Sequence, residues 1–277
     1  MEHPPTSAAP AAAAAIGTVD AADATFATDN FLAGVLIAGV GLAAPFALNA
    51  VSHLVIIAAL LVWRQQARTV RRPSGSILSE MATGVRHVRY NGPMRATLVR
   101  ALAFFLFASA YWALLPLIAR GADGSGSELY GVLMALIGAG AVTGALLLPR
   151  LQDHMTSDRT VRAGTVGTAL ALVVLALSAT PPALIAAAFL GGLSWIAVLT
   201  SFNVSAQTAL PDWVRARGLA VFLMGFFGSM ALGSVLWGQL AAATSVQTAL
   251  LAAAIGLIVG LLTTRAFKLG QGEALDL

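Results

Sequence analysis

Long uncharged apolar stretches, broken by short arginine-bearing segments, set the rhythm of this 277-residue chain. The stretches run over 30–63, 101–119, 129–149, 163–211 and 218–264. A helix needs about 20 apolar residues to cross the ~30 Å hydrocarbon layer. The second and third stretches therefore hold one crossing each, and the last two hold two each. Pro181-Pro182 divides the fourth, because proline lacks an amide donor and disfavours helix in the residue before it. The polar Thr244-Ser245, with Gln247, divides the fifth. The first holds one complete helix from about Pro45 to Trp63, after the tail of another. The pattern predicts helices over 45–63, 97–119, 128–149, 161–180, 182–209, 217–242 and 247–265. This is an all-α, polytopic membrane bundle of about seven transmembrane helices.

The connections alternate in charge. Seven arginines fall within Arg64–Arg95, one (Arg120) after the next helix, then Arg150, Arg159 and Arg162, then none. Arg215 and Arg217 follow, then none, and the C-terminal end carries Arg265 and Lys268. Basic loops stay on the cytoplasmic side, so the alternation places these clusters and the C-terminus in the cytoplasm. The expected location is a bacterial plasma (inner) membrane, crossed many times.

Five regions are expected. Residues 1–30 are an Ala- and Pro-rich start without Lys or Arg, read as disordered or non-native. Residues 31–63 hold the remnant of one helix and the first full transmembrane helix. Residues 64–95 form a cytoplasmic loop with an amphipathic helix, capped by Ser76 and stopped at Asn91-Gly92-Pro93. Residues 96–268 form a six-helix bundle, and 269–277 a cytoplasmic tail. The loop helix, with Ile77, Leu78, Met81, Val85 and Val88 on one face, suits the inner membrane surface as well as it suits a solvated linker.

Composition sharpens this. Apolar residues make up 58% of the chain and charged residues only 10%, against about 25% charged in a soluble domain. A water-soluble enzyme is excluded. The 16 basic residues are spread between apolar runs and build no nucleic-acid patch. There is no cysteine, hence no disulfide and no thiolate metal site. The lone lysine, Lys268, leaves no P-loop. No G-x-S-x-G occurs, and His3, His53, His87 and His154 are never paired at metal-ligand spacing. The expectation is no enzyme, no cofactor and no metal.

Polar residues inside spans are costly in hydrocarbon and often mark pathways. Asn49, Ser52 and His53 form one stripe; Thr200, Asn203 and Gln207 form another, with Ser194 and Trp195 above. Ser109, Tyr111 and Trp112 lie near the outer end of their helix. Either the stripes line a cavity between helices or they make ordinary interhelical hydrogen bonds. No Asp or Glu lies inside the predicted spans, Glu128 standing at a helix mouth, which leaves His53 as the candidate proton relay. Gly140 and Gly144, Gly256 and Gly260, and the row Gly225, Gly228, Gly233 and Gly238 have the spacing of close helix packing.

Three segments carry a family likeness. NVSAQTALPDWVRARGLAVFLMGFFGSMALGSVLWGQLA (Asn203–Ala241) resembles the tenth-to-eleventh helix region of major facilitator superfamily carriers. It is most similar to the bacterial exporters that include enterobactin exporters, the transmembrane secretion effector group. LYGVLMALIGAGAVTGALLLPRL (Leu129–Leu151) is similar to that group's eighth helix, and APFALNAVSHLVIIAALLVWR (Ala44–Arg64) to its sixth. The likeness covers about residues 31–268. It implies the C-terminal half of a twelve-helix carrier: the end of helix five, then helices six to twelve. The counterpart of the family's G-x-L-x-D-R-x-G-R loop, Gly144 to Asp153, lacks the later glycine and the paired basics.

The resemblance implies secondary-active export (efflux) of small organic molecules, drug-like or siderophore-like, with helices seven, eight, ten and eleven around the cavity. Tyr111, Trp112, Thr200, Asn203 and Gln207 are then the substrate-contact candidates. Arg150, Arg215 and Arg217 are cytoplasmic gate or topology charges. The expected partners are the lipid bilayer, a small-molecule substrate, and a separate N-terminal half or a second copy; nucleic acid is not among them. The alternative is a truncated, non-transporting membrane protein or one half of a split carrier.

Overall fold

The computed structural model describes residues 43–62, 77–121, 126–152, 155–267 and 269. Residues 1–42, 63–76, 122–125, 153–154, 268 and the tail from 270 lie outside them, and with them the readings made there, including the Ser76 cap. Eight helices occur among the described residues: α1 (Ala43–Val62), α2 (Ile77–Tyr90), α3 (Gly92–Gly121), α4 (Gly126–Gln152), α5 (Ser157–Leu177), α6 (Pro181–Thr208), α7 (Asp212–Ala243) and α8 (Val246–Thr263). The last six are each long and apolar enough to cross a membrane, and α1 contributes a shorter apolar stretch, Ala47–Ala59. The chain is thus a polytopic helical membrane protein.

The breaks fall where local chemistry puts them. Pro181 and Pro182 occupy the first turn of α6 after Thr180, where a missing N–H costs nothing. Ser245 caps α8, its hydroxyl accepting from Thr248 N at 3.0 Å, and Thr156 caps α5 by accepting from Arg159 N at 3.3 Å. Asn91 is a one-residue joint between α2 and α3. Its Oδ1 accepts from Met94 N at 2.9 Å, which caps α3, while its Nδ2 donates to Ala209 O at 3.0 Å.

Three expected helix starts move by four residues or more. The helix expected from 97 starts at Gly92, because Asn91 supplies the cap and proline is tolerated in a first helical turn. The helix expected from 161 starts at Ser157 and that expected from 217 starts at Asp212. Asp158 therefore belongs to a membrane-spanning helix, which corrects the expectation of spans without carboxylates. Hydropathy marks the apolar length of a helix; the backbone runs on through a polar first turn outside it.

Two tethers show that the helices alternate in direction. Asn91 joins the start of α3 to the end of α6. Arg100 joins the start of α3 to the start of α5 and to Phe267 beyond α8. One end of the bundle therefore collects Arg95, Arg150, Arg159, Arg162, Arg215, Arg217 and Arg265, whereas Arg120 ends α3 at the other. The charge alternation read along the sequence is a geometric fact of the fold.

α4 and α5 pack on α6, and α3 packs on α7 and α8, while α2 rests on α7 and α3. Glycines set the closest approaches. A Cβ at Gly140 would stand 2.1 Å from Phe189 O, and one at Gly192 would stand 2.0 Å from Ile137 O, so α4 and α6 touch backbone to backbone. Without water to squeeze out, such close packing is a main source of helix association in lipid. In the α7 row, a Cβ at Gly233 would stand 2.3 Å from Leu106 O, but one at Gly228 or Gly238 would meet nothing within 4 Å. Only part of that row packs, because the bundle covers one side of α7; Phe227, Leu232 and Val235 remain exposed. α1 packs against no other described helix.

Candidate functional site

Between α3, α6 and α7 lies an aromatic cluster. Phe105 meets Trp195, Phe202 and Phe226 with ring centroids 5.5, 5.9 and 4.4 Å apart. Trp112 packs edge-on against Trp195 at 5.3 Å and against Tyr111 at 5.7 Å. These are favourable edge-to-face arrangements. The indole N–H groups of both Trp112 and Trp195 are buried without a hydrogen-bond partner in the protein, as is Ser205 Oγ. An indole nitrogen can only donate, and an unpaired buried donor costs about 1–3 kcal/mol. Two such donors on neighbouring helices are placed for an acceptor that none of the described residues supplies.

The other expected contact residues divide by burial. Tyr111 is 2% exposed and its hydroxyl donates to Ala188 O at 3.1 Å, tying α3 to α6. Thr200 is also buried, whereas Trp112, Asn203 and Gln207 are half-buried. The structure brings Tyr111, Trp112 and Trp195 together. Asn203 and Gln207 lie further along α6 than Trp195, by about 12 and 18 Å at 1.5 Å per residue, toward the arginine-rich end. The expected contacts are one strip along α3 and α6, not one cluster.

His53 stands apart. On exposed α1 its Nδ1 donates to Asn49 O at 2.8 Å, and Ser52 Oγ donates to the same carbonyl at 2.8 Å. Ser52 and His53 thus bond within their own helix. Arg150 is exposed at the end of α4, and Arg215 Nε donates to Leu210 O at 3.3 Å.

Sequence reasoning missed the buried ion pair. Arg100 Nη1 donates to Asp158 Oδ1, Arg162 binds Oδ2 of the same carboxylate, and Arg100 also donates to Phe267 O at 3.3 Å. The Arg100 side chain is 2% exposed. A void of about 10 Å³, room for a single water, lies beside it, lined among others by Phe104, Thr165, Phe202 and Thr264. The available signal was Arg100 inside a predicted span, a charge that lipid does not tolerate unpaired. Its partner, 58 residues away, has no local trace beyond the i,i+4 spacing of Asp158 and Arg162.

The sequence model of the family described as transmembrane secretion effector matches residues 11–277. No curated protein matches the chain. The family match points to transport across the membrane and not to catalysis.

Proposed function

We propose that this chain, which belongs to the transmembrane secretion effector family of major facilitator transporters, carries half of the substrate path of an exporter of small organic molecules. The observation that carries this reading is the pair of unpartnered indole donors, Trp112 and Trp195. They stand on α3 and α6, which by the family likeness correspond to cavity-lining helices seven and ten. A drug-like or siderophore-like molecule with carbonyl or phenolate oxygens would accept from these donors, and the half-buried amides of Asn203 and Gln207 would receive it toward the arginine-rich end. Tyr111, whose hydroxyl is already bound to Ala188 O, and Thr200 support the strip from behind.

Alternating access in such carriers rocks one helical body against another. The reading therefore includes a second six-helix body, an N-terminal half or a second copy, that closes the cavity and covers α1. His53 would relay protons at that junction, and a proton gradient would drive export. The arginine-rich end would face the cytoplasm of a bacterial inner membrane, with Arg150, Arg215 and Arg217 on the gate side.

Accumulation of a fluorescent drug in cells with the chain alone, and with the chain plus a family N-terminal half, tests the reading. Lower accumulation in the second case supports it; no change in either leaves a non-transporting membrane protein. Where export is seen, Trp112→Phe, which keeps the ring and removes the donor, is expected to lower it about three- to tenfold, the worth of one hydrogen bond. Tyr111→Phe is expected to lower fold stability by about 0.6 kcal/mol and leave export nearly intact. Reporter fusions after Trp63, Arg120 and Arg150 are expected to read inside, outside and inside.

A further inference from the structure

The end of the bundle that carries α2 holds a recess remote from the indole pair. α2 lies tightly on α7: Val88 is buried, and a Cβ at Gly84 would stand 3.2 Å from both Cβ and O of Arg217. Beside that contact opens a cavity of about 200 Å³ lined by Arg86, His87, Tyr90 and Trp213. It is smaller than the 300–1,000 Å³ of pockets for drug-sized ligands, so it suits a headgroup better than a carried molecule.

Its walls combine cation and aromatic. Trp213 and Tyr90 are 66% and 79% exposed, an unfavourable state in water but the preferred one at the level of lipid headgroups. The Trp213 ring meets His87 edge-on at 5.4 Å, and the Arg89 guanidinium lies 6.0 Å from the Tyr90 ring centre. Among the described residues Arg86 forms no ion pair, while the carboxylate of Asp158 is already held by Arg100 and Arg162. His87 Nε2, in the same wall, has no hydrogen-bond partner. A planar guanidinium binds phosphate oxygens two at a time, and an anionic headgroup, unlike a zwitterionic one, brings no cation of its own to compete for them.

We propose that this recess binds the phosphate headgroup of an anionic membrane phospholipid. Arg86 takes the phosphate, and Tyr90 and Trp213 flank the glycerol and the start of the acyl chains. The bound lipid holds α2 flat on the membrane and, through the Gly84 contact with Arg217, fixes the N-terminal part of α7. The site is independent of the transport reading.

The test is native mass spectrometry of the full chain in detergent, offered phosphatidylglycerol and phosphatidylcholine at equal concentration. The chain is expected to retain phosphatidylglycerol preferentially. Arg86→Gln is expected to reduce that preference about fivefold, the effect of one cation at a membrane surface. Trp213→Ala should weaken retention independently, and Arg120→Gln at the opposite end should change nothing. Both recess variants alter exposed side chains, and a single monodisperse peak confirms that they fold. Equal retention of the two lipids, or an unchanged preference in both recess variants, overturns the proposal. Displacement of the lipid by millimolar inorganic phosphate overturns it as well, since it would mark a site for a soluble anion.

Discussion

Gly192→Ala is expected to destabilise the bundle by about 3 kcal/mol or more, at the upper end of what overpacking costs. The added Cβ would stand 2.0 Å from Ile137 O and within 3 Å of two further backbone atoms of the same residue. Backbone in the middle of a helix cannot rotate away as a side chain can, so α4 and α6 must separate. Separation also uncovers Gly140, whose own Cβ position is 2.1 Å from Phe189 O. Unfolding in mixed detergent, followed by fluorescence and by the loss of a monodisperse peak, measures the effect. Gly228→Ala is the matched control. Nothing lies within 4 Å of that position, so the substitution should be neutral or stabilise α7 by up to about 1 kcal/mol, the helical advantage of alanine over glycine. Equal behaviour of the two variants would refute the close α4–α6 approach.

Asp158→Ala is expected to have a comparable effect for a different reason. It leaves the Arg100 guanidinium, 2% exposed, buried at the start of α3 with Phe267 O as its remaining acceptor. Removing one partner of a buried pair costs about 3–5 kcal/mol, because the surviving charge loses its compensation. Arg162→Ala should cost only about 0.3–0.5 kcal/mol, as expected of an i,i+4 pair whose basic member is half exposed. Replacing Arg100 and Asp158 together by leucine should recover much of the loss, since burying the charges is itself expensive. A double-mutant cycle on unfolding midpoints separates the outcomes. If Asp158→Ala matched Arg162→Ala, Arg100 would not depend on this carboxylate, and the link between α3, α5 and the end of α8 would carry little of the fold.

Much of the candidate strip was legible beforehand. Asn203 and Gln207 stood out as polar groups at helical spacing in an apolar run and Trp112 by its place near the outer end of its helix, and all three are half-buried, on α6 and α3. Tyr111 gave the same signal, yet it is buried against α6 with its hydroxyl satisfied. Spacing tells which residues share a face of one helix; it does not tell what lies against that face. The orphaned donor of Trp195 is a property of its neighbours and has no signature at position 195.

The sequence by itself determined where the chain crosses lipid, where it breaks, and which connections share an end. Those are local demands: hydrocarbon forces each span to be long and apolar, prolines and caps act on their own turn, and arginines are counted loop by loop. The tertiary structure alone decided which glycines of a repeated pattern touch a neighbour, that Arg100 finds its carboxylate on α5, and that α2 and α7 enclose a basic aromatic recess. Each of these joins residues from different helices, and in a bundle held by shape the partner across an interface is fixed only when the backbones meet.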